Sequence, residues 1–283
     1  MTLPREHLDA QCLPGGGPSG LRSQLVTDVQ GWVVEIGGAH HSWISLLVGL
    51  AIWELAGRAL HYSFLPPFST VLRAVLDLVA SGQILGYLGA SLVSLFVGYG
   101  LAALVGVLLG LSMGRYGRVE YVIGPYINAL LATPKIVFVP ILYALFGVGR
   151  GTQVAIVFLS AFFIIVINTM GGMRNVDASC IEMARAFGAS ERQLFRKVLL
   201  PGALPLTMAG LRLGIGRGVK GMITGEMFIA LFGLGALLRK YGSRFDSARV
   251  FAILLVVIGV ALLCSFAVRL LENRFTAWTE GGA

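Results

Sequence analysis

Long apolar runs separated by short polar breaks occupy the chain from residue 43 onward. A helix needs about 20 predominantly apolar residues to cross a bilayer. Runs at 43–60, 86–113, 121–146, 152–169, 205–229 and 251–271 meet or approach that length. The pattern predicts an all-α integral membrane protein with six transmembrane helices. In the first break, "FLPPFSTVLRAVLDLVASGQ", Pro66 and Pro67 interrupt the chain and Ser69 is placed to cap a short amphipathic helix reaching Leu78. The third run holds Pro125, Pro134 and Pro140, each lacking a backbone donor. The carbonyls they free need protein or water as partners, which predicts neighbouring helices or a wet cavity around this run. "FGLGALLRKYGSRFDSARV" reads as an amphipathic excursion before the last run. Residues 1–40 are polar, contain "PGGGPSG" and read as a partly flexible tail, apart from a transmembrane domain at 41–283. No basic start leads into an apolar core, so no cleavable signal peptide is expected.

Composition sharpens this reading. Only 13% of the residues are charged and 56% are hydrophobic, against about 25% charged in a soluble domain. The formal net charge of +8 fits cytoplasmic loops facing anionic lipid. No exposed segment interleaves aromatic and basic residues, so nucleic acid is not an expected partner. A cytoplasmic N-terminus places Arg115, Arg118, Arg174, Arg185, Arg192, Arg196 and Lys197 inside, with Arg5, Arg22, Arg269 and Arg274. It leaves Arg58, Arg73, Arg150, Arg239, Lys240, Arg244 and Arg249 outside. The excess has the sign expected for both termini in the cytoplasm. Cys12, Cys180 and Cys264 are far apart and show no CxxC spacing, so neither a disulfide framework nor a zinc site is indicated. The four histidines lie outside the apolar runs, and no metal site is expected.

One polar break is unusually ordered: "EMARAFGASERQLFRKVLLP", from Glu182 to Pro201. Asp177 is placed to cap a helix through Phe187, and Gly188 permits the left-handed stop. Ser190 and Gln193 have the spacing of a capping box, so a second helix begins at once. Pro201 is expected to end it and Pro205 to open the next span. Leu194, Phe195 and Val198 give the second helix an apolar edge, and Arg192, Arg196 and Lys197 a basic one. Such a unit suits docking into a groove on a soluble partner.

The stretch resembles the EAA motif of the permease subunits of bacterial ABC importers: Glu-Ala-Ala, three residues, Gly, nine residues, Ile, one residue, Leu-Pro. Glu182, Ala184, Gly188, Leu200 and Pro201 match, while Met183 and Val198 replace an Ala and an Ile. "SLVSLFVGYGLAALVGVLLGLSMG", "ATPKIVFVPILYALFGVG", "INTMGGMRNVD" and "GLGALL" extend the resemblance over about residues 43–275, toward the subgroup serving nitrate, taurine, alkanesulfonates and related small anions. The resemblance implies a type I importer permease fold in the bacterial inner membrane. It also implies a coupling loop at 174–204, with Leu194 and Phe195 among its contacts, seated on a cytoplasmic ATPase dimer that holds the ATP and Mg. A second permease copy, most simply a homodimer, and an extracytoplasmic solute-binding protein complete the expected assembly. The chain contains no GxxxxGK[ST] phosphate loop, so it is expected to bind no cofactor, catalyse no covalent chemistry and draw its energy from another subunit.

Within the spans, Arg217, Lys220 and Thr224 fall on one helical face of the fifth run. Ionisable groups at membrane depth are costly and usually face a cavity or a partner. Two readings stand: with Lys135 of the third run they line a path for an anionic solute, or they are structural cations paired with Glu54, Glu226 or backbone carbonyls. Relatives commonly carry Arg where this chain has Ser94, and Glu226 matches an acid common in the subgroup, structural or gating. The glycines of the second and fifth runs, including Gly98, Gly106, Gly110, Gly210, Gly214 and Gly218, recur at four or eight residues, as close helix packing requires. A stand-alone secondary transporter or channel is the alternative. It requires intramembrane acids and an inverted repeat, and the runs offer only Glu54 and Glu226 and no visible repeat.

Overall fold

The computed structural model describes residues 39–59, 64–229 and 231–276. The chain divides into two compact units, Met1–Leu60 and His61–Ala283. The expected tail at 1–40 lies almost wholly outside the described residues. In the first unit, helix α1 (Ala39–Ala59) carries an i,i+4 ion pair between Arg58 and Glu54 at 2.6 Å.

Among its described residues the second unit consists of helices joined by short turns, with no strand. It comprises α2 (Phe68–Ala80), α3 (Gln83–Arg115), α4 (Gly117–Ala132), a 3-10 turn (Lys135–Phe138), α5 (Val139–Phe146) and α6 (Arg150–Arg174). There follow α7 (Ala178–Ala186), α8 (Glu191–Leu194), a π-helical segment (Phe195–Leu199), α9 (Leu200–Ile229), α10 (Gly233–Gly242) and α11 (Ser247–Thr276). Ser69 lies inside α2 rather than capping it. The N-cap is Pro67, which makes no side-chain cap hydrogen bond.

Helix α6 forms the core, and small residues on its neighbours decide how closely they approach. Val157, Ala161, Ile165 and Val166 of α6 are fully buried. On α3, a Cβ at Gly98 would sit 2.7 Å from the Val154 carbonyl oxygen, one at Gly106 3.0 Å from Ile165, and one at Gly110 2.6 Å from Thr169. Both partners advance together, so α3 and α6 run parallel. On α9, Gly210 meets Asn168 and Gly214 meets Ile165, an antiparallel order. Glycine at these positions brings helix backbones into contact, and such close packing is a main source of helix association where lipid leaves no hydrophobic driving force. The Tyr99 hydroxyl of α3 adds a hydrogen bond to the Leu211 carbonyl of α9 at 3.0 Å, and Arg212 of α9 pairs with Glu272 of α11 at 3.3 Å.

Two corrections to the expected spans follow. The third run is not one helix: α4 and the segment Lys135–Phe146 are bent by 101°. Thr133 is extended, and Pro134 cannot continue the ladder of α4. Because α3 and α6 are parallel, the chain between them must return from one end of the unit to the other, and this bent pair makes that crossing. The second correction concerns the fifth span. Pro201 does not end a helix. The helix is continuous from Glu191 to Ile229, with the register shifted by the π segment immediately before Pro201, the residue that lacks a donor. Of the six spans expected, four helices among the described residues are long and apolar enough to cross a membrane, and the bent pair, taken as one span, supplies a fifth. The remaining expected span, 43–60, coincides with α1, a helix of 21 residues.

Candidate functional site

At the end of the unit that holds Arg115 and Arg174, the chain between α6 and α9 builds a compact, polar-faced loop. Asp177 caps α7, its carboxylate accepting from Ser179 N at 2.9 Å, and the hydrogen bonds from Ser179 hold its pKa below the usual carboxylate value. The far end of α7 closes as a Schellman motif: Gly188 N donates to Arg185 O at 2.9 Å and Ala189 N to Ala184 O at 3.0 Å. Gly188 adopts φ +74°, a conformation that disfavours any side chain with a Cβ. The capping box of Ser190 and Gln193 is formed in both directions.

Around this frame the residues separate by role. Leu194 is 1% exposed and packs with Met173, Leu199 and Ala203, with Phe195, Val198 and Ala184 partly buried against them. Leu194 therefore faces its own chain, which corrects the expectation that it contacts a partner, while Phe195 is half-buried and lines a depression with Ser112, Arg115 and Arg192. The outward apolar groups are Phe187, 86% exposed, and Met183, 57% exposed. A depression beside them is lined by Asp177, Cys180, Ala184, Lys197 and Pro201. Glu182 and Gly188 are exposed on the same loop, and Leu200 is half-buried at the start of α9. Ion pairs of Arg115 with Glu191 and of Arg174 with Glu120 tie the loop to α3 and α6 to α4. Phe187 was not singled out from sequence. Its position beside the glycine stop was the available signal.

The second constellation lies along α9. Lys135, Arg217, Lys220 and Thr224 line one cleft of about 380 Å³, together with Pro134, Ile156 and Ser160. Its cations differ in what they already hold. The Lys135 ammonium donates to the carbonyls of Leu131 at 3.1 Å and Thr133 at 2.9 Å, and to that of Leu130, and lies 4.8 Å from the Phe163 ring centroid. It caps α4 where the chain bends, and its three donors are engaged. Arg217 and Lys220 are exposed, and among the described residues their side chains make no ion pair or hydrogen bond. Thr224 donates to the Lys220 carbonyl at 2.9 Å, leaving its hydroxyl oxygen to accept.

Glu226, one of the candidate partners for those cations, is fully buried beyond the cleft. Gln153 Nε2 donates to its Oε1, Ser94 Oγ donates to Gln153 Oε1 at 2.8 Å, and Gly235 N donates to Glu226 Oε2 at 2.8 Å. Ser94 thus serves this network and not the cleft. Gln153 escaped the sequence reading, although an amide within an apolar run is itself a signal.

Comparison with known proteins agrees with this architecture. Residues 102–277 match the model of the binding-protein-dependent transport system inner membrane component family. The formylaminopyrimidine transport permease protein ThiX of Halalkalibacterium halodurans is 32% identical over 83% of this chain and 94% of its own length. The putative aliphatic sulfonates transport permease protein SsuC of Bacillus subtilis is 29% identical over 86% and 90%. The taurine transport system permease protein TauC of Escherichia coli is 29% identical over 83% and 88%. Among solved structures, an inward-facing MetNI methionine ABC transporter superposes with a TM-score of 0.55 at 21% identity, over 74% of this chain and 97% of that one. A second, an amino acid ABC transporter with histidines, gives 0.56 at 18% identity, over 71% and 96%. These matches favour an importer permease over a stand-alone transporter or channel. With its parallel α3 and α6, its ordered loop and its matched family model, the chain belongs to the binding-protein-dependent transport system inner membrane components, as a multi-pass permease subunit of an ABC importer.

Proposed function

We propose that this permease carries a small organic anion of the sulfonate or taurine class along the cleft of Lys135, Arg217, Lys220 and Thr224. The observation that carries this reading is the pair of unengaged cations, Arg217 and Lys220, one helical turn apart on α9 and facing a cleft that already contains the positive field of Lys135. A guanidinium and an ammonium with free donors suit a sulfonate, which presents three acceptor oxygens. The named substrates of SsuC and TauC belong to that class. In the proposed assembly two copies of the chain face each other. An ATPase dimer, holding ATP and Mg, docks on Met183, Phe187 and the depression around Cys180, with Glu182, Gly188 and Pro201 shaping the loop. A solute-binding protein delivers the anion to the opposite face. Both termini lie in the cytoplasm. The ATPases move the loops together, and continuous α9 passes that motion to the cleft.

The test is uptake by the complete transporter in liposomes, with taurine and an alkanesulfonate series as solutes. Arg217→Gln with Lys220→Gln should lower uptake at least 10-fold, while the ATPase still co-purifies. Unchanged uptake with unchanged saturation would show that the cations do not face the path.

A further inference from the structure

We infer that Glu226 is a positioning residue of the transport cycle: it caps α10 from outside that helix and makes α10 move as one body with α9. The inference rests on the importer reading for its transport readout, and on geometry alone for the clasp itself.

The first turn of a helix exposes backbone N–H groups that need acceptors. Phe232, the N-cap of α10, provides no side-chain acceptor. Two other helices supply them. The Ser91 hydroxyl of α3 accepts from Leu234 N at 2.8 Å, and the Glu226 carboxylate of α9 accepts from Gly235 N at 2.8 Å. Ser91 and Glu226 are both 0% exposed, so no water competes for these donors. Glu226 is held in turn by Gln153 of α6, and Gln153 by Ser94 of α3.

The backbone reinforces the contact. Gly233 adopts φ +83° with the Glu226 carboxylate against the place a Cβ would take. A Cβ at Gly235 would lie 2.8 Å from both the Ile223 carbonyl oxygen and Met227 N. The start of α10 therefore rests directly on the backbone of α9, and "GLG" is the sequence that permits it. Leu234 and Leu237 are fully buried in the same unit, and the Tyr241 hydroxyl donates to Gln83 Oε1 of α3 at 2.9 Å.

The consequence lies in where the clasp sits. Glu226 is six residues beyond Lys220 on α9, about 9 Å along the axis. The same helix begins at Glu191 in the polar-faced loop, 35 residues earlier. Motion imposed on that loop reaches α10 through one uninterrupted helix and a buried carboxylate. A releasable gate would need this cap to break; close backbone packing at Gly235 indicates that it stays closed.

The experiment uses the complete transporter in lipid nanodiscs and liposomes. Glu226→Leu removes the acceptor for Gly235. It should raise hydrogen exchange at the Leu234–Gly235 amides at least 10-fold and lower solute moved per ATP hydrolysed at least 5-fold, with basal hydrolysis within 2-fold. Glu226→Gln keeps one acceptor, and the Gln153 amide can turn over to meet it, so this variant should restore coupling to within about 3-fold of the parent. Loss of coupling in Glu226→Gln as deep as in Glu226→Leu would overturn the capping role and assign the function to the charge. Faster exchange with coupling unchanged would overturn the mechanical role. If Glu226→Leu does not accumulate, Ser91→Ala removes the neighbouring acceptor and should give the same two changes at smaller size. A parent protein without ATP-dependent uptake refutes the importer reading separately, and the exchange measurement still judges the clasp.

Discussion

Gly188 shows how much a single residue can decide. Its positive φ closes α7, yet nothing lies within 4 Å of the position where a Cβ would project. The cost of replacing it is therefore conformational and not steric: about 1–2 kcal/mol for a residue with a Cβ in the left-handed region, less for Asn. Gly188→Ala should accordingly weaken retention of the co-purifying ATPase several-fold, and Gly188→Asn should retain most of it, as read by pull-down at matched expression. Equal loss in both variants would mean that the partner itself fills the space beside Gly188. This residue was legible because its chemistry is local: a cap, a stop and a second cap follow one another within twenty residues. The direction Leu194 faces was not legible. An apolar edge on a short helix reads the same whether it meets a partner or its own chain. Only tertiary packing against Met173 and Ala203 decides, and those side chains come from other elements.

At the scale of elements, the apolar runs fixed where the long helices lie, but not where they bend. Three prolines marked 121–146 as irregular. Their number alone does not distinguish a kinked span from two helices at a steep angle, because that depends on what donates to the carbonyls left free before Pro134, a task that falls to Lys135. Pro201 was misleading for the converse reason: a π turn absorbs a missing donor without breaking the helix. Spacing of glycines was more transparent, since a period of four or eight places them on one face. Substitution tests that face. Gly110→Ala, which drives a methyl against Thr169 and the Val166 carbonyl, should lower the melting temperature in detergent, with a cost of about 1–3 kcal/mol for overpacking. Gly100→Ala on the same helix meets nothing within 4 Å and should leave the melting temperature within a degree or raise it. Similar losses in both would show that α3 is not held by close approach to α6.

For the whole molecule, the assembly is the decisive unit, and an intrinsic probe reports on it. Cys180 is an exposed free thiol in the depression beside Phe187. With Cys12 and Cys264 replaced by serine, Cys180 should react with a water-soluble maleimide in the isolated permease. It should become at least 10-fold slower when the ATPase is bound. Equal rates in both states would place docking elsewhere on the loop. The cleft at the other end of α9 bears on throughput. Lys135 has committed its three protons to the carbonyls left behind by the bend, so on the proposed path it would offer a passing anion attraction without a handhold. A route made only of grasping cations would slow its own traffic, because every tight hold must later be undone. On the proposed path the broken helix would supply a fixed field whose source is already occupied, and Arg217 and Lys220 would make the contacts that have to be released.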